Sequence, residues 1–177
     1  MLTTTWEQRR LGELYAERGE NGHNGLPILS VSIHGGVSSE QLGIEDLGKE
    51  VRRIEDKSLY KKVEFGDLVL NMMRAWQGAI GSAETNGMVS PAYIVARPIV
   101  NLDQPFTNVL LRRQNLVGQI DSLSYGVTDF RKRIYWPSLV KAEVSIPSLL
   151  EQSRIGALFS KLDSLIALHQ RERLSTR

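Results

Sequence analysis

The string NMMRAWQGAIG, residues 71 to 81, places an arginine, a tryptophan and a glutamine at the joint between two apolar runs. A simple turn between strands needs only a pair such as Asn-Gly or Asp-Gly. Arg74 has the donors to bind guanine O6 and N7, and Gln77 has the groups to bind adenine N6 and N7. Trp76 either supports the arginine by stacking or packs beneath the turn. These residue types suit contacts to base edges, and the alternative is a structural turn in which Arg74 bonds to carbonyl groups.

A second candidate segment is SYGVTDFRKRIYW, residues 124 to 136, in which three consecutive cations lie between aromatic residues. Cations interleaved with aromatic side chains are typical of a loop that follows a phosphate backbone. The alternative is a solvated loop with Phe130 and Trp136 in the core. The predicted nucleic-acid contacts, including one basic pair earlier in the chain, are Lys61, Lys62, Arg74, Trp76, Gln77, Tyr125, Arg131, Lys132 and Arg133.

The charge of the chain is nearly balanced, with 22 Lys and Arg against 20 Asp and Glu and a formal net charge of +2. The cations are nevertheless clustered in pairs and one triplet, and arginine outnumbers lysine. A planar guanidinium binds phosphates and guanine edges through two hydrogen bonds, so this bias suits an anionic partner. Solvated surface charges are the alternative interpretation.

The sequence offers no catalytic constellation. It has no cysteine, which excludes thiol catalysis and cysteine-ligated zinc. It has no G-x-G-x-x-G loop, and the string SPAY, residues 90 to 93, lacks the Asn or Asp that an amino-methyltransferase needs. The three histidines are scattered, and the acidic residues between positions 46 and 56 are only neighbours in a polar segment. We therefore expect a binding protein with no catalytic residue, no metal and no cofactor.

The length of 177 residues suits about one domain, with 41% hydrophobic and 24% charged residues. The N-terminal residues do not form a secretion signal, and no apolar stretch approaches about 18 residues. The absence of cysteine favours a reducing compartment. We expect a soluble cytoplasmic protein that does not associate with a membrane.

The elements that position the two candidate segments are predicted to form a mixed α/β (α+β) fold. FGDLVLNMM and GAIGSAE read as strands on either side of the first segment. Further strands are predicted in LPILSVSI, in MVSPAYIVARP as one strand ending at Pro98, and in KAEVSIP. Apolar residues at roughly helical spacing predict one helix from Phe106 to about Leu123.

The C-terminus is predicted to be a long amphipathic helix. Ser148 and Glu151 form an S-x-x-E capping box that starts it. The chain then divides into a globular domain, residues 1–147, and a helix, residues 148–177, that suits a coiled coil. A helix folded back on its own domain is the alternative. The apolar face comprises Ile155, Leu158, Phe159, Leu162, Leu165 and Ile166.

Five strings in register carry a resemblance to one family. They are WEQRRLGEL, YKKVEFGDLVLNMMRAWQGAIG, VSPAYIV, GVTDFRKRIYW and IPSLLEQSRIGALFSKLDSLIALHQ, and together they cover most of the chain. In this order they resemble the DNA specificity (S) subunits of type I restriction-modification systems. The string NMMRAWQGAIG lies within the pattern that the family shares, whereas residues that read bases should vary between targets. The resemblance therefore favours scaffold or phosphate contacts over base reading for these residues.

The resemblance implies a non-catalytic protein that recognises double-stranded DNA. Members of the family usually hold two target-recognition domains joined by long helices, and each domain reads half of a bipartite site. The helices bind methyltransferase (M) subunits, and the restriction (R) subunits join the complex, with S-adenosylmethionine and ATP bound by these partners. This chain has one recognition domain and one helix, so we expect a homodimer or pairing with a second half-subunit. A DNA-modifying enzyme and a helix-mediated assembly protein without DNA contact are the alternatives.

Overall fold

A computed structural model describes residues 5–39, 57–126, 128 and 131–175. The polar segment before Lys57, which contains the basic pair Arg52 and Arg53, lies outside these residues, as does Phe130. The strands are β1 (Glu7–Arg10), β2 (Tyr15–Glu17), β3 (Leu29–Ser32), β4 (Gly36–Ser39), β5 (Lys61–Val63), β6 (Leu68–Asn71), β7 (Ile80–Ser82), β8 (Gly87–Val89), β9 (Tyr93–Pro98), β10 (Tyr125–Gly126), β11 (Lys132–Arg133) and β12 (Glu143–Ile146). The helices are α1 (Leu11–Leu14), α2 (Gln104–Leu111), α3 (Gln114–Leu123), α4 (Trp136–Leu139) and α5 (Leu149–Ser175), with 3₁₀ turns at Lys57–Leu59 and Ala75–Gln77.

The centre of the fold is an antiparallel four-stranded sheet in the order β2-β9-β6-β7. Its middle strand β6 is apolar on both faces, as expected for a strand covered on both sides. Leu68 and Leu70 join a cluster with α2 and α3, whereas Val69 joins a second cluster with β3 and β5. The alternation of side chains along one strand therefore divides the core into two layers. The predicted mixed α/β architecture is confirmed.

Two predicted elements were wrong in detail. MVSPAYIVARP forms two strands, because Pro91 has no amide to donate and a turn closes through a hydrogen bond from the Tyr93 amide to the Ser90 carbonyl, 3.1 Å. The first strand, β8, pairs with β5 outside the central sheet, and the second ends at Pro98 as predicted. The predicted single helix is α2 and α3, since Arg113 between them has extended backbone angles.

The start of the C-terminal helix is confirmed at Ser148. Its hydroxyl accepts a hydrogen bond from the Glu151 amide at 3.4 Å, and its carbonyl accepts one from the Gln152 amide at 2.9 Å. Helix α5 has 27 residues, which corresponds to about 40 Å. Residues 157–174 are all exposed, and Phe159, Ser160 and Asp163 among them line an open groove with α2.

The first two turns of α5 are fixed to the N-terminus of α2. The Asp103 amide donates to Gln152 Oε1 at 3.2 Å, and the Ser153 hydroxyl donates to Asp103 Oδ2 at 3.0 Å. Gly156 faces the same end of α2, where an added Cβ would lie 2.8 Å from the Phe106 amide nitrogen. Glycine at this position therefore allows the two helices to approach closely.

A buried arginine joins β2 to the turn between β5 and β6. Arg18 binds Asp67 through two hydrogen bonds of 2.7 and 3.0 Å, and both side chains are almost fully buried. Glu20 and Glu64 add ion pairs to Arg18 at 2.8 and 2.9 Å, and Lys62 binds both glutamates at 3.1 and 2.7 Å. Burial raises the pKa of Asp67 despite the arginine, whereas hydrogen bonds from Lys62 lower the pKa values of both glutamates.

Candidate nucleic-acid interface

The connection between β6 and β7 is a compact turn built by its own backbone. The Asn71 side chain accepts a hydrogen bond from the Met73 amide at 3.0 Å, and the Asn71 carbonyl accepts one from the Arg74 amide at 3.1 Å. The fully buried Ala75 anchors the 3₁₀ turn to the core. Gly78 ends it with φ of 106°, a conformation that favours glycine. We call residues 71–78 the recognition turn.

The recognition turn exposes Arg74 and Gln77 side by side. Arg74 Nε donates to Gln77 Oε1 at 3.3 Å, and both side chains are exposed. Within the described part of the chain, the hydrogen bond of this guanidinium goes to Gln77 and not to a carbonyl group of the turn. The arrangement presents a guanidinium and a carboxamide together to solvent, which suits hydrogen bonding to base edges.

Trp76 packs beneath the turn against the core cluster. Its indole Nε1 donates to the Met73 carbonyl at 2.9 Å. The face of its ring is contacted by Lys132, whose Nζ lies 5.3 Å from the ring centroid. Of the two roles predicted for Trp76, packing beneath the turn is the one that the geometry supports.

Strands β10 and β11 form a short hairpin in the second candidate segment, with Tyr125 opposite Arg133 and Gly126 opposite Lys132. Tyr125 stacks on Tyr135 with ring centroids 5.3 Å apart and an angle of 28° between the planes. Arg131 and Arg133 are exposed. The hairpin thus carries two aromatic rings and two exposed guanidinium groups on its surface.

The hairpin lies directly against the recognition turn. The amide of the buried Ile134 donates to the Met72 carbonyl at 3.0 Å, and Arg133 Nη2 donates to Met73 Sδ at 3.5 Å. The two segments singled out in the sequence therefore form one continuous surface, although about 50 residues separate them. We call this surface, formed by residues 73–77 of the turn and residues 125–126 and 131–135 of the hairpin segment, the cationic surface.

The basic pair of β5 is divided between two environments. Lys61 Nζ donates to the Tyr93 carbonyl at 2.6 Å, and Tyr93 pairs with Asn71 at the base of the recognition turn. Lys61 therefore lies at the same end of the sheet as the cationic surface. Lys62 is held by Glu20 and Glu64, which already balance its charge. A DNA contact by Lys62 stays a prediction, and it has less support than a DNA contact by Lys61.

No family model matches the sequence, and no curated protein matches it. Solved structures do match. An S subunit of a type I restriction-modification system from M. genitalium has 14% identity and a TM-score of 0.60, over 93% of this chain and 40% of that one. A chain from a structure of complex assembly in the type I restriction-modification (R-M) system has 18% identity and a TM-score of 0.63. The match covers 99% of this chain and 43% of that one. The HsdS subunit from Thermoanaerobacter tengcongensis has 17% identity and a TM-score of 0.55, over 97% and 41%.

The chain has the fold of part of an S subunit. It spans 40 to 43% of the length of the chains it matches, so this fold occupies less than half of each. The matches cover 93 to 99% of this chain, which includes both the sheet domain and the C-terminal helix.

Three residues in or beside the cationic surface were not predicted as site residues. Tyr135 stacks on Tyr125, Met73 contacts Arg133, and Asp121 of α3 binds Lys132 Nζ at 2.5 Å. Tyr125 and Tyr135 lie ten positions apart, near the two ends of the second candidate segment. A predicted hairpin in this segment would have brought the two rings close together. Asp121 had no such signal, because its role depends on how the hairpin that follows α3 folds back against this helix.

The predicted apolar face of α5 is exposed in the S-subunit fold except at its start. Ile155 packs partly on the core of its own domain. The side chains that follow are exposed to an unusual extent for large apolar residues. The exposed fractions are 56% for Leu158, 39% for Phe159, 44% for Leu162, 53% for Leu165 and 55% for Ile166.

The described residues contain no group of three or more acidic or histidine side chains arranged to hold a metal ion. In the same part of the chain, none of the helices combines the length and the hydrophobicity needed to span a bilayer.

Proposed function

We propose that this chain is a DNA-recognition module of a type I restriction-modification system that reads one half-site of a bipartite target. The observation that carries the proposal is the cationic surface on an S-subunit fold. Two segments with the residue types for base and phosphate contacts meet there, and both lie on connections supported by a rigid sheet. Specificity would come from Arg74 and Gln77, and positioning from Arg131 and Arg133.

The chain is proposed to act without catalysis of its own. In this scheme residues 1–147 recognise double-stranded DNA, and residues 148–177 bind the methyltransferase subunit and a second copy or half-subunit. The restriction subunit joins through the complex, and the cofactors of modification and cleavage belong to these partners. The exposed apolar face of α5 supports an assembly role, since such a surface is stabilised by burial against another helix.

Selection of bound duplexes from a random DNA pool tests the proposal directly. The protein is used alone and together with a methyltransferase subunit of a type I system, and bound DNA is sequenced after several rounds. We expect one short motif from the single chain and two copies at fixed spacing from the paired form. Flat binding to all duplexes at low salt would favour the assembly protein, and methylation or cleavage by the chain alone would favour the enzyme.

Arg74→Ala is expected to weaken binding to the selected site by about 1–3 kcal/mol and to relax the preference at one base pair. Arg74 is exposed, so thermal unfolding should change little. Binding to the selected duplex and to its single-base variants is measured by fluorescence anisotropy. Equal losses on selected and random DNA would make Arg74 a phosphate contact, and a lower melting temperature together with loss of all binding would make it a structural residue.

A further inference from the structure

We propose that Lys132 is a positioning residue that fixes the hairpin to the recognition turn, and not one of the cations that contact phosphate. This inference rests on the proposed DNA-recognition function and divides the cationic triplet into two roles. Arg131 and Arg133 face the nucleic acid, whereas Lys132 faces the protein.

The surroundings of Lys132 differ from those of its neighbours. Its side chain is only 19% exposed, and its ammonium lies 2.5 Å from Asp121 Oδ1. The same ammonium lies 5.3 Å from the centroid of the Trp76 ring, within the range of a cation–π contact. Both flanking arginines are exposed. Successive side chains of an extended chain point to opposite faces. Lys132 therefore points away from the face that exposes Arg133 of β11 and Arg131, which precedes the strand.

The charge of Lys132 is satisfied within the protein. Asp121 neutralises it, and the tryptophan ring replaces part of its hydration. A phosphate would have to displace the carboxylate before it could bind the ammonium directly. The contribution of Lys132 to counterion release is therefore small, whereas each arginine retains its full contribution.

The three partners of this contact come from three different parts of the chain. Trp76 belongs to the recognition turn, Asp121 to α3 and Lys132 to the hairpin. A hairpin with two residues in each strand is too short to be stable by itself, so contacts to neighbouring elements hold it in place. Lys132 thereby orders Arg131 and Arg133 beside Arg74 before DNA binds, which lowers the entropy cost of binding.

The first test compares the salt dependence of binding by full-length variants to one duplex. Lys132→Met retains the apolar stem and is expected to weaken binding about tenfold, with the slope of log affinity against log salt unchanged. Arg131→Ala and Arg133→Ala are the matched variants, and each should lower the magnitude of the slope by about 0.9. A slope that falls by about 0.9 in Lys132→Met as well would overturn the proposal.

A charge-balanced variant distinguishes the positioning role of Lys132 from its contribution to the net charge of the chain. Lys132→Met with Asp121→Asn has the net charge of the parent chain, so a simple loss of positive potential predicts parental affinity. The positioning role predicts the same tenfold loss as in Lys132→Met alone. Lys132→Arg should retain near-parental affinity, since a guanidinium also binds carboxylates and stacks on aromatic rings.

A readout without DNA distinguishes failure of this inference from failure of the proposed function. Hydrogen exchange of the Ile134 amide, which donates to the Met72 carbonyl, reports how firmly the hairpin is held. Exchange should accelerate at least tenfold in Lys132→Met and in Trp76→Leu, and remain at the parental rate in Arg131→Ala. Unchanged exchange in both contact variants would contradict the inference, whether or not the protein binds DNA.

Discussion

Arg18→Met is expected to lower the free energy of unfolding by about 3–5 kcal/mol at neutral pH, because it leaves a buried carboxylate without its partner. Asp67 is fully buried, and Arg18 supplies two of its hydrogen bonds. Among the described residues, Asp67 also accepts a hydrogen bond from the Glu64 amide at 2.8 Å, but an amide cannot neutralise the charge. Urea unfolding followed by circular dichroism measures the loss.

Acidification should reduce the loss of unfolding free energy that Arg18→Met causes. Burial already raises the pKa of Asp67, and removal of Arg18 would raise it further. A carboxyl whose pKa is higher in the folded state favours folding when protonated, so this contribution is present at low pH and is lost as the pH rises. The pKa values of Glu20 and Glu64 are lowered, mainly by Lys62, so the parent loses their contribution as the pH falls. Lys62 is present in both proteins, so they share most of this loss. The higher pKa of Asp67 in the variant is what narrows the difference in unfolding free energy as the pH decreases from 7 to 4.

Arg9→Met is the matched control for this substitution. Arg9 pairs with Glu7 and Glu13 at 3.7 Å in a more exposed position, where ion pairs contribute about 0–1 kcal/mol. The interpretation would be wrong if Arg18→Met lost no more unfolding free energy than the control, or if its loss did not change with pH. Either result would show that other groups stabilise Asp67.

Leu162→Asp combined with Leu165→Asp is expected to abolish self-association of the chain through α5. We propose a symmetric, antiparallel pair of these helices, since two-fold pairing is the commonest arrangement of identical chains. Each apolar side chain buried in such an interface contributes about 1.5–3 kcal/mol as an upper estimate, and the substitutions change four of them in the pair. Carboxylates in the same positions add a desolvation cost.

Sedimentation at micromolar concentration measures the mass of the parent and the variant. The control is Ser160→Asp combined with Ser164→Asp, which adds the same charge on the opposite side of the helix. The parent and the control should sediment as dimers, and the leucine variant as a monomer. A monomeric parent would exclude the homodimer and leave α5 as a docking surface for the methyltransferase subunit.

Elements with strong local signals were predictable from the sequence. The apolar run of β6 identified a strand, and Ser148 identified the start of α5. The break between α2 and α3 was missed because no glycine or proline marks it, although Arg113 has an extended conformation there. Strands β1 and β2 were missed because EQRR and YAE have little apolar alternation, and their partners lie far away in the sequence.

The candidate site was predictable as two segments and not as one surface. Residue types identified Arg74, Gln77 and the cationic triplet, because hydrogen-bonding capacity is a property of the side chain. The contact between Ile134 and Met72 that brings the segments together depends on the packing of the whole domain. The different role of Lys132 was hidden for the same reason, since three adjacent cations look alike until the direction of each side chain is known.

The close packing of Gly156 on the N-terminus of α2 makes α5 and the sheet domain move together. In a paired molecule the length of the exposed helix would then act as a ruler for the DNA. An insertion of seven residues lengthens a helix by about 10.5 Å and rotates its end by only about 20° from the original direction. That translation corresponds to about three base pairs at 3.4 Å each. The spacing between two recognised half-sites would therefore change in steps while the sequence of each half-site stayed the same.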